Sequence, residues 1–295
     1  MTNNHAYTGP LRFAHRGLVQ AAPENTLGAF EAAVNLPLEG IEIDIQLSRD
    51  QEIIVAHDRN FTRMTLGHPT APSNRRLQDM TWEEISVMEL PYANHLLSCS
   101  LPAHSEVEGM AIMPERLMGQ ESGSDYETAL AKDGRMAHLM RFSDFDAWLS
   151  GRPEAVTIEI EVKSGGTMQR MLELLDTSPN VERYILFSGV PAYIEEIQAA
   201  CQREGKPEGL RLGANIRYLT EEAKADLKSM DLFEVGLNAG AFTGEDVHWL
   251  ADHGIQVLSN LGDTPAWWAQ LCQLGVLGFK TNYAEAYTDW WTAQN

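Results

Sequence analysis

Apolar and polar positions along this chain follow two alternating rhythms. Short runs rich in Ile, Val, Leu and Phe recur at "LRFAH" (11–15), "GIEIDIQL" (40–47), "AVTIEIEVK" (155–163), "RYILFS" (183–188), "LRLGANI" (210–216), "LFEVGLN" (232–238), "IQVLSN" (255–260) and "VLGFKTN" (276–282). Between them lie stretches with apolar residues at i, i+3, i+4 and i+7, the signature of one buried helix face. These are "TLGAFEAAVN" (26–35), "TMQRMLELLDT" (167–177), "PAYIEEIQAACQRE" (191–204), "TEEAKADLKSM" (220–230), "TGEDVHWLADHG" (243–254) and "TPAWWAQLCQLG" (264–275). Asn25 or Thr26, Thr220, Thr243 and Thr264 are N-cap candidates, and Gly254 and Gly275 stand where a left-handed residue closes a helix. Strand–helix alternation of this length predicts an α/β fold, a closed (β/α)8 TIM barrel, with a doubly wound open sheet as the alternative.

One segment breaks the rhythm. "QEIIVAH" (51–57) follows the second strand across "SRDQ" and reads as an extra strand or extended arm. Residues 59–138 give no clear βα unit, although 81–90 and 126–134 have helical spacing. Structureless loops beyond about 12–15 residues are uncommon in compact domains. The pattern therefore predicts an insertion subdomain after the second barrel strand, with residues 1–58 and 139–295 forming the barrel and 59–138 the insertion. "FSDFDAWLSG" (142–151) resumes the barrel as a helix.

Composition narrows the function. The 295 residues are 44% hydrophobic, enough for one large barrel and its core. No run of 18 apolar residues occurs, and "MTNNHAYTGPLRF" lacks the charged-then-apolar order of a secretory signal, so neither a membrane span nor export is expected. Cys99, Cys201 and Cys272 are too widely spaced for a disulfide framework or zinc cluster and suit a cytoplasmic protein. With 22 Lys and Arg against 42 Asp and Glu, the formal charge is −20, which repels nucleic acid and anionic membranes at long range. The expected partner is a small molecule, and an anionic one needs a local cation to hold it.

Candidate chemistry collects at the C-terminal ends of the strands, where barrel active sites lie. The second strand places Glu42 and Asp44 on one face, roughly 6–7 Å apart, where two anions repel by about 2.5 kcal/mol at an effective dielectric near 20. Glu159, Glu161 and Lys163 share a face of the neighbouring strand. One lysine cannot neutralise so many carboxylates, so either some are protonated and salt-bridged to Lys163 and Arg16, or a divalent cation sits among them. Oxygen-only donors favour Mg²⁺, Ca²⁺ or Mn²⁺ over zinc. His15 and His57 each end an apolar strand leading towards these carboxylates, an arrangement suited to an acid–base pair. His5, His68, His95, His104, His138, His248 and His253 fall in loops, the insertion or helix faces and read as solvated residues. Glu159 reads either as a further group at the metal or as an interior residue paired with Lys163, the second being preferred. The tryptophans of "AWW" (266–268) and "WW" (290–291) read as outer-ring core packing, or as a homo-oligomer contact, rather than as an aromatic cage.

"AHRG" (14–17), "PENTLGAFEAA" (23–33), "IEIDIQLSRD" (41–50), "HD" (57–58), "FTRMT" (61–65) and "IEVK" (160–163), in that order, resemble the signature of the glycerophosphodiester phosphodiesterase family. The resemblance is strongest over residues 14–65, with a second anchor at 157–163. It implies a (β/α)8 barrel hydrolysing a glycerophosphodiester to glycerol 3-phosphate and an alcohol, with one divalent ion. It implies Glu42, Asp44 and Glu161 as metal ligands, His15 and His57 as the catalytic pair, and Arg16 and Lys163 as phosphate contacts. Two positions depart from the family pattern: Asn282 stands where aspartate is frequent, and Gln51 where a glycine usually follows the turn aspartate. A lysophospholipid or sugar phosphodiester substrate, a catalytically inactive phosphate-ester-binding barrel, and a metal-dependent aldolase or isomerase are the competing readings.

Overall fold

The computed structural model describes residues 9–65, 71–72, 75–92, 134–153, 155–238 and 240–294. Every apolar run of the sequence becomes a barrel strand: β1 (Leu11–His15), β2 (Gly40–Leu47), β7 (Thr157–Val162), β8 (Tyr184–Phe187), β9 (Arg211–Ile216), β10 (Glu234–Asn238), β11 (Gln256–Asn260) and β12 (Gly278–Thr281). These strands pair in parallel in that order, and β1 pairs with both β2 and β12, which closes the barrel. The outer ring is α1 (Leu27–Val34), α3 (Phe142–Ser150), α4 (Met168–Leu175), α5 (Pro191–Glu204), α6 (Glu221–Leu227), α7 (Gly244–Asp252), α8 (Pro265–Leu274) and α9 (Ala284–Gln294). Thr220, Thr243 and Thr264 cap their helices through the side chain, whereas the Thr26 hydroxyl donates to Pro23 O instead. Gly275 is left-handed at φ 71 and ends α8. Trp268, fully buried, packs edge-on against Tyr287 within the outer layer.

The arm after β2 is β3 (Ile53–Val55), which turns back antiparallel to β2. Gln51 in that turn takes φ 65, the left-handed conformation a glycine adopts more readily. β6 (Met140–Arg141) pairs with β3, and β4 (Leu90–Pro91) pairs with β5 (Met136–Ala137). The helix expected over 81–90 forms only as α2 (Trp82–Ser86), opened by a Thr81–Glu84 capping box. The chain is already extended at Leu90–Pro91, because a proline there cannot continue a helix. Phe61, Met64, Leu77, Met80, Ile85 and Leu90 build a small second core with Ile54, Ala56 and Leu139. The helix expected over 126–134 lies outside the described residues, as do Cys99 and His5, His68, His95 and His104, apart from Gly134 at its end.

Alternation along each strand sorts the barrel into two environments. Ile41, Ile43, Ile45, Ile158, Ile160, Val162, Leu186, Leu212, Val235, Leu237 and Phe279 join the core beneath the helices. The opposite face fills the barrel in layers. Phe13, Ile185 and Leu258 plug the N-terminal end. Above them Lys280 Nζ pairs with Glu159 Oε1 at 2.9 Å and lies 4.2 Å from the Phe187 ring centre. Burial and the neighbouring Glu159 push the Glu234 carboxyl well above its ordinary range. The Glu159–Lys163 pairing expected from the sequence does not form. Lys163 lies farther up its strand and reaches Asp44 and Glu161, while the counter-ion of Glu159 comes from across the barrel.

Candidate active site

The top layer brings Glu42, Asp44, Glu161, His15, Arg16 and Lys163 together with His57 beside them, whereas Glu159 lies in the layer below. Glu42 and Asp44 from β2 and Glu161 from β7 each place a carboxylate oxygen within 4.8 Å of the others. Strand register explains this: Asp44 lies directly opposite Glu161, and His15 opposite Glu42. Burial, then the charges of Asp44 and Glu161, push Glu42 well above the ordinary carboxylate range. Burial would raise Asp44 too, but Lys163 and Arg16 outweigh it and hold that carboxyl below its ordinary value. Lys163 Nζ is 3.3 Å from Asp44 Oδ1 and 2.9 Å from Glu161 Oε2, and Arg16 Nε is 3.2 Å from Asp44 Oδ2. Asp44 Oδ1 is nonetheless buried without a hydrogen bond. A buried carboxylate oxygen left in that condition, within an all-oxygen cluster, fits a hard divalent ion and suits zinc poorly.

Two loop residues missed in the sequence shape the side of the cluster around Asp44 and Arg16. Asn25 Nδ2 donates to Asp44 Oδ2 at 2.9 Å while its Oδ1 accepts from the Asp44 backbone N–H at 3.2 Å. Asn25 and Arg16 both adopt left-handed backbone, at φ 56 and 60, tied by Asn25 N donating to Arg16 O at 2.9 Å. Such a conformation costs a non-glycine residue roughly 1–2 kcal/mol. It turns the Arg16 backbone N–H onto Glu42 Oε2 at 3.1 Å. Glu24, the second missed residue, receives Arg16 at 2.9 Å and both Arg63 terminal nitrogens at 2.7 Å. The only earlier sign of these roles was the motifs' resemblance, since spacing alone says nothing of a left-handed turn.

The two histidines sit in different electrostatic surroundings. His57 Nδ1 donates to Asp58 Oδ1 at 2.9 Å, and Arg63 holds both oxygens of that carboxylate at 2.8 and 3.0 Å. Gln46 Nε2 donates to Asp58 O at 2.7 Å and ties the His57 turn to β2. Glu24, His57 and Asp58 also approach one another closely, but Arg63 and Arg16 already neutralise their carboxylates. His15 Nδ1 instead meets an amide, Asn282 Oδ1, at 2.8 Å, and its Nε2 faces Glu42 Oε2 at 3.9 Å. Burial and the adjacent Arg16 push His15 down to about 3, so it stays neutral at ordinary pH.

The mouth beside this cluster is polar. Asn238 and Asn260 end two successive strands and Asn215 is the penultimate residue of the strand before them, with Asn260 Nδ2 at 3.4 Å from Asn238 Oδ1 and Lys280 donating to Asn260 Oδ1 at 3.2 Å. Gly236 leaves room for the Asn215 amide, since a Cβ there would lie 1.7 Å from Asn215 Oδ1. Glu161 Oε1 and Asn215 Cβ flank the same Cβ position at Gly189, at 3.3 and 3.7 Å, so the amides adjoin the carboxylates.

The chain resembles known proteins in sequence and in fold. A glycerophosphodiester phosphodiesterase of Caldanaerobacter subterraneus subsp. tengcongensis is 39% identical over 79 residues, 27% of this chain and 30% of that protein. One from Bacillus altitudinis is 40% identical over 73 residues, 25% of this chain and 27% of that protein. The chain thus matches under a third of the length of either relative. Similar folds include an Oleispira antarctica phosphodiesterase solved with the product sn-glycerol-3-phosphate, at TM-score 0.69 and 17% identity, covering 96% of this chain and 97% of that one. The glycerophosphodiester phosphodiesterase of Thermotoga maritima superposes at TM-score 0.63 and 17% identity, covering 96% and 99%. The sequence profile of the glycerophosphoryl diester phosphodiesterase family matches residues 15–286, and the chain belongs to that family.

Proposed function

We propose that the chain hydrolyses a glycerophosphodiester to glycerol 3-phosphate and an alcohol, using one divalent ion and two histidines of opposite role. The observation that carries this reading is the convergence of Glu42, Asp44 and Glu161 within 4.8 Å, with Arg16 and Lys163 bound to the same carboxylates. These three carboxylates would hold Mg²⁺, Ca²⁺ or Mn²⁺. When bound, the ion offsets charge accumulating on the phosphoryl oxygens. Arg16 and Lys163 add to that neutralisation, which a phosphodiester needs because its own charge repels a nucleophile.

The surroundings of the histidines support opposite roles. His15 is neutral and donates through Nδ1, so its Nε2 lone pair faces the carboxylate cluster and takes the proton of the attacking hydroxyl. That hydroxyl belongs to water, or to the glycerol 2-position in a route through a cyclic phosphate. His57, its Nδ1 on a carboxylate, is better placed to carry a second proton on Nε2 and to deliver it to the departing alcohol oxygen. Acid–base help of this kind contributes about 10²–10⁴ in rate. The amides of Asn215, Asn238 and Asn260 suit the hydroxyls of a glycerol moiety. Leu27, Val190 and Tyr218, 41, 40 and 55% exposed at the same end of the barrel, are the observation favouring a lysophospholipid instead.

Glycerol 3-phosphate release from glycerophosphocholine, -ethanolamine, -inositol and -glycerol, beside lysophosphatidylcholine, tests the reading. Release is expected with added divalent ion, none after chelation, and at least 100-fold less from His15→Ala. Turnover of the lysolipid alone would favour the second substrate class. A folded, metal-binding protein inactive on every substrate would refute both.

A further inference from the structure

Asp263 is a buried carboxylate that the reaction above does not use. It is 1% exposed, and no basic side chain among the described residues pairs with it. Burial therefore raises it to about 6. Its hydrogen bonds all run to one strand end. Oδ1 accepts from the Asn282 backbone N–H and the Thr281 hydroxyl, both at 2.9 Å, and Oδ2 accepts from Asn282 Nδ2 at 2.7 Å.

A carboxylate can only accept, so Asp263 fixes which way the Asn282 amide points. With Nδ2 committed to Asp263, Asn282 Oδ1 must face His15, and it lies 2.8 Å from Nδ1. Oδ1 also only accepts, so Nδ1 of His15 carries the hydrogen and Nε2 is left as the lone pair. Asn282 is 2% and His15 7% exposed, so water does not compete freely for these bonds. We propose that Asp263 and Asn282 are positioning residues that hold His15 in the Nδ1–H tautomer, leaving Nε2 able to take a proton. This rests on the reading of His15 as the base.

The Asp263→Asn variant has nearly the same shape but reversed polarity. The Asn282 N–H and the Thr281 hydroxyl still require an acceptor, so the new amide oxygen replaces Oδ1 and its NH₂ replaces Oδ2. Asn282 must then rotate, present its own NH₂ to His15 Nδ1, and force the hydrogen onto Nε2. Exchanging the two residues restores the logic. In Asp263→Asn/Asn282→Asp, residue 282 accepts from His15 Nδ1–H with one oxygen and from the residue 263 amide with the other.

Two readouts test this in the Mg²⁺-loaded protein. Nitrogen-15 shifts of the His15 ring, assigned by loss of its signals in His15→Gln, report the tautomer without any turnover. Expected are Nδ1–H in wild type, Nε2–H in Asp263→Asn and Nδ1–H again in the exchanged double variant. In parallel, kcat should fall at least 100-fold in Asp263→Asn with KM within threefold, and recover at least tenfold in the double variant. An Asp263→Asn protein that keeps the Nδ1–H tautomer, or loses kcat without recovery in a double variant melting within a few degrees of wild type, overturns the proposal. If wild type turns over no phosphodiester, the functional reading fails, while the nitrogen shifts still decide the tautomer assignment.

Discussion

Burial and two carboxylate neighbours make Glu42 a residue held against its own charge. Replacing it with Gln keeps the acceptor for the Arg16 N–H and removes the repulsion. Glu42→Gln should therefore melt no lower than wild type in chelator, and about 1–2 °C higher if relief of ~0.5 kcal/mol is realised. It should also lack the rise in melting temperature that Mg²⁺ or Mn²⁺ is expected to give wild type. A chelated variant several degrees less stable would mean that the charge is compensated by protein alone. Asp263 poses a different question of pH. Its folded value, about 6, lies above the ordinary 3.8, so the native state keeps a proton that the unfolded chain has released. Its stabilising contribution is complete below pH 3.8 and is lost as pH rises through about 6, by at most ~3 kcal/mol. Asp263→Asn lacks that loss, so its urea stability relative to wild type should improve by about 1–3 kcal/mol between pH 4 and 7. Parallel stability curves would contradict this.

At the level of strands and helices, much was legible because a strand buried on both faces and an amphipathic helix write different periods into the sequence. The unbroken Ile41–Ile43–Ile45 register and the threonine caps at 220, 243 and 264 carried nearly all of that information. Alternation says which side of a strand Glu159 faces, but not how far around the barrel its partner stands. Hence Lys163, near in sequence, hid Lys280. Similarly, Asn25, Glu24 and Arg63 belong to quoted motifs, yet their work depends on loop conformations that no period records. Asp263 and Asn282 act from the ends of β11 and β12, where only the closed barrel brings them to His15. Gly236 shows the same limit, since its need is set by Asn215 one strand away. Gly236→Ala should cost about 1–3 kcal/mol in urea unfolding, as overpacking does, and raise KM for glycerophosphodiesters severalfold. Adding Asn215→Ala should recover most of the stability but not the KM. Unchanged stability in Gly236→Ala would show that the amide moves freely.

On the scale of the whole molecule, the cations Arg16 and Lys163 sit among carboxylates on a body of formal charge −20. The mean field repels an anionic substrate before local groups attract it, and salt weakens the longer-ranged part first, with a screening length of ~30 Å at 0.01 M falling to ~10 Å at 0.1 M. For anionic glycerophosphoinositol and glycerophosphoglycerol under the proposed activity, kcat/KM should thus rise about two- to threefold between 10 and 100 mM NaCl. Zwitterionic glycerophosphocholine should change little. Equal responses would mean that long-range charge does not govern encounter. Among the described residues no helix is long and apolar enough to cross a membrane.

The seam between β1 and β12 has a consequence for how the protein is born. His15 and Asn282, hydrogen-bonded in the finished barrel, are 267 positions apart in the chain. A ribosome therefore completes both strands bearing the carboxylates long before it makes the amide that orients the histidine. Until β12 arrives, β1 keeps an unmatched edge and the imidazole has no fixed hydrogen. Chains interrupted before β12 carry Glu42, Asp44 and Glu161 but lack Asn282, the partner of His15 Nδ1.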